Sequence, residues 1–152
     1  MPAIEASIDV SAPRQVIWDL ISDVTRYPEM GNIAEEAHVV SQGDFGEGSV
    51  YSETGRIAGM KSTGEWTISQ FDPPEVQTHV GGDSSMYGEL TWTLDELGAG
   101  ETRVTQNVEF KALPKLRPVG ALLEWLFITR MMTREMGNIR DDIKRIAEAE
   151  SA

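Results

Sequence analysis

The stretch that decides the fold is PVGALLEWLFITRMMTREMGNIRDDIKRIAEAE, residues 118–150. Its mostly apolar positions recur at steps of three and four residues, which is the spacing of one face of an α-helix. They are Leu122, Trp125, Leu126, Thr129, Met132, Met136, Ile139, Ile143 and Ile146. A proline suits the first turn of a helix, and no proline follows Pro118 to break it. Roughly thirty residues at 1.5 Å each make a rod of about 45 Å, so we expect the rest of the domain to pack around it.

The predicted helix has two halves of different character. From Arg140 onward, charged residues leave only a narrow apolar stripe, as on an ordinary surface helix. Between residues 119 and 132 it is apolar nearly all round, because Leu123, Phe127 and Met131 form a second stripe beside the first. Such a segment is buried on every side, or it faces a ligand, a partner or a membrane. Packing within the chain, a ligand surface and a homodimer surface therefore all stay open at this point.

The composition limits the class of protein. A chain of 152 residues, 40% of them hydrophobic, predicts one globular domain covering residues 1–152. The absence of cysteine excludes disulfides and thiolate chemistry, and the net charge of −12 predicts that nucleic acid is not a partner. The apolar run at residues 120–128 is too short to span a bilayer, and the N-terminus lacks the features of a signal peptide. We therefore predict a cytoplasmic, acidic protein without an integral membrane segment.

The residues before the long helix predict one strand, two short helices and six further strands. Residues 4–10 alternate apolar and polar side chains, as a half-buried strand does. Ser11 and Pro13 suit the start of a helix, and Pro28 marks a bend at a second, shorter one. The period then changes to two, with predicted strands at about 33–41, 49–57, 60–71, 75–80, 86–96 and 101–111. Their short links indicate an antiparallel sheet, so the fold class is α+β, with seven strands curled around the long helix.

Several short motifs carry a resemblance to a known superfamily. In chain order they are Val10-Ser11-Ala12-Pro13 with Val16-Ile17-Trp18, Asp23 to Pro28, Gly46-Glu47-Gly48, Trp66-Thr67-Ile68 with Phe71-Asp72-Pro73-Pro74, and Asn138-Ile139-Arg140-Asp141-Asp142-Ile143. Across nearly the whole chain, this order resembles the helix-grip fold of the SRPBCC superfamily, which includes START-type lipid-binding domains, the birch-pollen allergens and the polyketide cyclase/dehydrase proteins. The resemblance implies a cavity between the curled sheet and the long helix. It does not identify the function, because this fold hosts carriers, cyclases, ubiquinone-binding proteins and co-chaperones.

The implied cavity and the residue pattern together select candidate ligand-binding residues. They are Tyr27, Met30, Trp66, Leu90, Trp92, Gln106, Val108, Phe110, Phe127, Met131 and Met132. Such a lining predicts binding or transport of a hydrophobic small molecule, for example a lipid, an isoprenoid or an aromatic polyketide. Gln106 has two interpretations: a cross-strand hydrogen bond, or contact with the polar end of a ligand.

The resemblance also implies an alternative function, a polyketide cyclase/dehydratase-type enzyme. The aromatic polyketide cyclases carry an arginine into the pocket where this chain has Ser69, and they use an asparagine where it offers Thr129, Met131 or Met132. Both departures count against aldol cyclisation by that mechanism. Hydrophobicity points Trp66 inward, but a bulge would turn its neighbour Glu65 inward, where its pKa would rise and it could act as a general acid or base.

The remaining polar motifs predict no further site. His38 and His79 lie on separate predicted strands, and the simplest interpretation places both on the solvent face. Without cysteine or a His-Glu-x-x-His motif we expect no metal site, and we expect no cofactor. A third function, a co-chaperone-like or dimerising interaction module, would use the apolar half of the long helix for its partner or for a homodimer.

Overall fold

The computed structural model describes residues 3–57, 59–82, 86–112 and 118–152, with their side chains except at 57, 86, 111–112, 118–125 and 128. The elements in chain order are β1 (Ala3–Val10), α1 (Arg14–Ile21), a 3₁₀ helix (Val24–Glu29), β2 (Ala34–Val39), β3 (Val50–Ile57), β4 (Met60–Asp72), β5 (Val76–Gly82), β6 (Met86–Gly98), β7 (Glu101–Ala112) and α2 (Pro118–Ser151). This is the order predicted from the sequence, and the predicted strand ends differ from these by no more than two residues.

The seven strands form one antiparallel sheet in the order β1-β7-β6-β5-β4-β3-β2. Strands β2 to β7 lie in chain order because the links between them are too short for a crossover. β1 returns to the far edge and pairs with β7, from Ala3 opposite Glu109 to Val10 opposite Thr102. The predicted α+β helix-grip architecture is confirmed.

The C-terminal half of α2 holds the helix against α1 and the sheet. Ile143 and Ala147 are 0% exposed, and they share an apolar core with Ile17, Leu20 and other residues of α1, β6 and β7. Full burial of a side chain the size of isoleucine contributes about 1.5–3 kcal/mol, so this half anchors the helix. Within the described ranges, no helix is both long and apolar enough to cross a bilayer.

An irregularity in β4 settles which face of that strand points inward. The pairing of β4 with β5 shifts register between Ile68 and Gln70, which leaves Ser69 as the extra residue of a bulge. The bulge comes after Trp66, so it does not reverse the strand there. Trp66 faces α2, as hydrophobicity predicts, and Glu65 is exposed on the outer face.

Candidate functional site

A cavity of about 210 Å³ lies between the sheet and α2. Its wall is formed by alternate residues of β3 to β7, by the face of α2 that carries Met132, Met136 and Ile139, and by Met30 after the 3₁₀ helix. Alternate side chains of a strand share a face, so five strands present one continuous surface to the helix. The wall is mostly apolar and aromatic, which is the usual character of a small-molecule pocket.

Nine of the eleven residues predicted to bind a ligand lie on this wall. They are Tyr27, Met30, Trp66, Leu90, Trp92, Gln106, Val108, Phe110 and Met132. Trp92 is 4% exposed and also belongs to the main apolar core, so it serves both core and wall. Contact of these residues with a ligand stays a prediction.

The structure does not bring the other two predicted residues, Phe127 and Met131, to the wall. Phe127 is 57% exposed, and Met131 is half-buried. Successive residues of an α-helix are about 100° apart, so Phe127 lies well round α2 from the face that carries Met132. Leu123, the third member of the predicted second stripe, lies outside the described side chains.

Glycines form part of the cavity wall. Five of them lie on the wall: Gly55, Gly64, Gly81, Gly82 and Gly88. At Gly88 a Cβ atom would meet Phe110 Cβ at 3.7 Å and Trp66 Cη2 at 3.8 Å, which are ordinary van der Waals distances. A small side chain therefore fits at this position, and a larger one would occupy the open space.

A chain of buried hydrogen bonds runs along one side of the cavity. The Gln77 amide Nε2 donates to Ser22 Oγ over 3.0 Å, which leaves Gln77 Oε1 to accept from His79 Nε2 over 2.8 Å. The other ring nitrogen of His79, Nδ1, is then an acceptor, and the Tyr51 hydroxyl donates to it over 2.7 Å. Burial lowers the pKa of His79 to about 4, so the ring is neutral at neutral pH, as this order of donors requires.

The prediction that His79 faces solvent is wrong. His79 and Gln77 are both 0% exposed, whereas His38 is exposed as predicted. The inner face of β5 is polar, and Val76 and Val80 lie on its outer face, so the usual alternation is inverted in this strand. The inversion is tolerated because the buried amide and imidazole hydrogen-bond to each other and to their neighbours.

Two tyrosines, Tyr27 and Tyr51, line the same side of the cavity. The Tyr27 hydroxyl donates to the Ile21 carbonyl over 2.8 Å, and the Tyr27 and Tyr51 rings meet edge to face with centroids 5.6 Å apart. Burial raises the pKa of both phenols. Both hydroxyls are therefore protonated at neutral pH, and each proton is already used in a hydrogen bond within the protein.

Glu135 places a carboxylate on the wall, where two backbone N–H groups hold it. It is 8% exposed, and its Oε1 accepts from the backbone N–H groups of Asn32 over 2.6 Å and of Ile33 over 3.1 Å. The preceding Gly31 has a φ of +81°, and a Cβ atom there would collide with the Glu135 carboxylate, so this position requires glycine. The turn before β2 is thus held against α2, with the carboxylate between them.

Glu53, on β3, places a second carboxyl on the wall. It is half-buried and has no hydrogen-bond partner among the described residues. Burial, and then the negative charge of Glu135, raise its pKa to about 7, so it exchanges a proton near neutral pH. The sequence pattern pointed to Glu65 for this role and missed Glu53. The available signal was the alternation of Tyr51, Glu53 and Gly55, whose backbone positions share one face of the strand.

Gln106 lies on the opposite part of the wall. It is 1% exposed, and its Oε1 accepts a hydrogen bond from Arg140 Nη1 over 3.0 Å. This partner comes from α2, which neither the cross-strand nor the ligand interpretation foresaw. With Oε1 bonded to the guanidinium, Nε2 is the end of the amide that can donate to a ligand.

Comparison with known proteins identifies relatives of the whole chain and of about half of it. A family model described as polyketide cyclase / dehydrase and lipid transport matches residues 1–148. Over 78 residues the chain is 32% identical to Toxin Rv0910 of Mycobacterium tuberculosis (strain ATCC 25618 / H37Rv), a match covering 51% of this chain and 54% of that protein. The chain thus spans about half the length of the curated relatives it matches.

Solved structures share the fold at low sequence identity. The Zhui aromatase/cyclase from Streptomyces sp. R1128 superposes with a TM-score of 0.79 at 18% identity, covering 97% of this chain and 93% of that one. A START superfamily protein from Mycobacterium smegmatis gives a TM-score of 0.78 at 12% identity, covering 97% of both chains. At such identities the likeness shows the fold alone.

Proposed function

The chain belongs to the polyketide cyclase / dehydrase and lipid transport family, and from that premise we propose that it binds a small hydrophobic molecule in the cavity between the sheet and α2. The observation that carries this proposal is the cavity itself, which is mostly apolar and has polar groups at separate places on its wall. Its volume of about 210 Å³ is below the range of roughly 300–1,000 Å³ typical of pockets for drug-sized ligands. A short chain or a compact aromatic molecule fits this space better than a long-chain lipid.

Native mass spectrometry of the protein purified from its own cells tests the proposal, because a bound ligand adds a discrete mass. A neutral apolar fluorescent probe, N-phenyl-1-naphthylamine, gives a second measurement through its emission when it enters the cavity. We expect saturable binding that Gly88→Leu weakens and that Thr67→Leu, on the outer face of β4, leaves unchanged. Absence of both a bound mass and saturable probe binding would refute a carrier function.

A cyclase/dehydratase-type enzyme is the second candidate, and Glu53 is the observation that favours it. Enolisation and loss of water both need a group that gives and takes a proton, and a cavity carboxyl with a pKa of about 7 has that property. Ser69 argues against the usual mechanism of the aromatic polyketide cyclases, because it is an exposed bulge residue rather than a cationic group in the pocket. Turnover of a linear poly-β-ketone that Glu53→Gln abolishes and Glu65→Gln preserves would establish the enzyme.

One structural feature supports the third function, an interaction module that binds its partner through the apolar half of α2. Leu126 and Phe127 are 53% and 57% exposed, so the apolar half of α2 presents large apolar side chains at the surface of the single chain. The homodimer and the cytoplasmic location stay predictions.

A further inference from the structure

We propose that the cavity selects a basic amphiphile, a small apolar or aromatic molecule with a protonated amine, and that Glu53 and Glu135 bind the amine. This inference rests on the proposed function, since it names the ligand class for the same cavity. Three independent features of the wall support it: its charges, its unused hydrogen-bonding atoms and its aromatic rings.

The charges on the described part of the wall are all negative. Glu53 and Glu135 line the cavity, and no lysine or arginine of the described ranges does. Glu89 also borders the cavity, but it is exposed and lies opposite Val80 of the outer face. The guanidinium of Arg140 is hydrogen-bonded to Gln106, but Arg140 is not among the residues of the wall. An ionised carboxylate held away from bulk water without a counter-charge is unfavourable, so a cationic ligand would be stabilised here and an anionic one rejected.

The hydrogen-bonding atoms left over on this side of the cavity are acceptors. The Tyr27 hydroxyl donates to Ile21, the Tyr51 hydroxyl donates to His79, and the His79 N–H donates to Gln77. Glu53 and the second oxygen of Glu135 have no donor among the described residues. A ligand that satisfies this end must therefore bring the donors, and an ammonium group brings three at one point.

Aromatic rings surround the same space. Trp66 and Trp92 line the cavity together with Tyr27 and Tyr51, and the faces of such rings attract cations. A metal ion is a poorer occupant, because the described residues contain no group of three or more His, Asp or Glu that could hold one. An organic ammonium uses both the carboxylates and the rings, whereas a metal ion would use the carboxylates alone.

The proposal also predicts how binding depends on pH. Glu53 is faced by Tyr51 of its own strand, by Tyr27, by His79 of β5 and by Glu135 of α2. Both phenols are protonated and the imidazole is neutral between pH 6 and 8, because burial raises the pKa of the tyrosines and lowers that of His79. Glu53 loses its proton in this interval, so amine affinity should rise from pH 6 to pH 8.

The test compares octylamine, octanol and octanoate, which share one chain length and differ in charge, as competitors of N-phenyl-1-naphthylamine at pH 8 and 0.15 M NaCl. In the wild type we expect octylamine to bind at least tenfold more tightly than octanol, and octanoate more weakly than both. Glu53→Gln should lower the affinity for octylamine at least tenfold, change the affinity for octanol less than twofold and raise the affinity for octanoate. Glu65→Gln removes the same charge from the outer face of the sheet and should change none of the three.

The opposite signs separate a charge effect from a folding defect, which would weaken all three ligands together. Equal or tighter binding of octanoate by the wild type would overturn the inference, as would an octylamine affinity that Glu53→Gln leaves unchanged. If octanol displaces the probe and octylamine binds no more tightly than octanol, only this inference fails. If neither the probe nor any of the three ligands binds, the proposed function fails with it.

Discussion

Replacing Glu53 and His79 should change the pH dependence of stability in opposite directions. The pKa of Glu53 rises from 4.5 to about 7 on folding, so the folded protein holds this proton where the unfolded chain has lost it. Its contribution is fully present below about pH 4.5 and is lost as the pH rises through 7. The pKa of His79 falls from 6.5 to about 4, so its contribution is present above about pH 6.5 and is lost as the pH falls.

Each pKa changes by about 2.5, and a change of one in a pKa is about 1.4 kcal/mol, so each group changes the free energy of unfolding by at most about 3–4 kcal/mol across its interval. Between about pH 4.5 and 6.5 the two slopes have opposite signs and cancel in the wild type. Glu53→Gln removes the falling contribution, so its stability relative to wild type should rise by about 1.4 kcal/mol per pH unit. His79→Gln should show the reverse slope, in addition to a constant loss from the broken hydrogen bonds with Tyr51 and Gln77.

The assay is urea denaturation followed by tryptophan fluorescence at pH 4.5, 5.5, 6.5 and 7.5, at constant ionic strength. Subtracting wild type from each variant removes the contributions of the other acidic residues, and Glu65→Gln serves as the control for loss of an exposed carboxyl. A flat difference for Glu53→Gln would mean that this carboxyl is as well solvated in the folded protein as in the unfolded chain. That result would refute both the buried position of Glu53 and the argument for a cationic ligand.

Three further substitutions test the wall of the cavity and the surface of α2. Trp92→Ala should lower the free energy of unfolding by about 3 kcal/mol or more and also weaken probe binding, since this side chain serves both core and wall; a stability loss with unchanged affinity would remove it from the wall. Gly88→Val should reduce probe affinity at least tenfold while the thermal midpoint stays within a few degrees, because its Cβ meets only ordinary contacts. Phe127→Ser should change stability by less than about 0.5 kcal/mol, since the ring is 57% exposed. Sedimentation velocity of the same variant checks the homodimer, which the substitution should weaken if Phe127 lies at the interface.

The fold was predictable because each element buries a regular face. In α2 the apolar period of three and four continues to Ile146, and α1 has the same period. In β7 the buried residues alternate with a period of two, as in other strands. The sequence does not decide which face of β4 points inward, because a bulge depends on how two strands pair and leaves little trace in one of them. Its position at Ser69, after Trp66, was visible only in the register with β5.

The candidate site was predictable only in its apolar part. The hydrophobicity pattern places polar residues outward. It therefore predicts a solvent-facing His79 and does not identify Glu53 as a cavity residue. Their inward positions depend on partners distant in sequence. The chain of buried hydrogen bonds through His79 ends on Ser22, 55 residues before Gln77, and the negative charge beside Glu53 is that of Glu135 on α2. Phe127 shows the converse difference: its apolar character on the long helix predicts a cavity position, whereas the structure leaves it 57% exposed and away from the wall.

Folding and ligand binding make opposite demands at Glu53, and this opposition gives the last prediction. Its ionised carboxyl has no donor among the described residues and a negative neighbour, so above pH 7 it destabilises the folded protein by up to about 3–4 kcal/mol. Groups kept at such a cost cluster at functional sites. A bound ammonium would relieve this repulsion, so saturating octylamine should raise the unfolding temperature more at pH 8 than at pH 6. In Glu53→Gln the difference between the two pH values should disappear, although this variant without ligand is more stable than the wild type at pH 8. If octylamine raises the unfolding temperature of both proteins equally, the amine binds elsewhere.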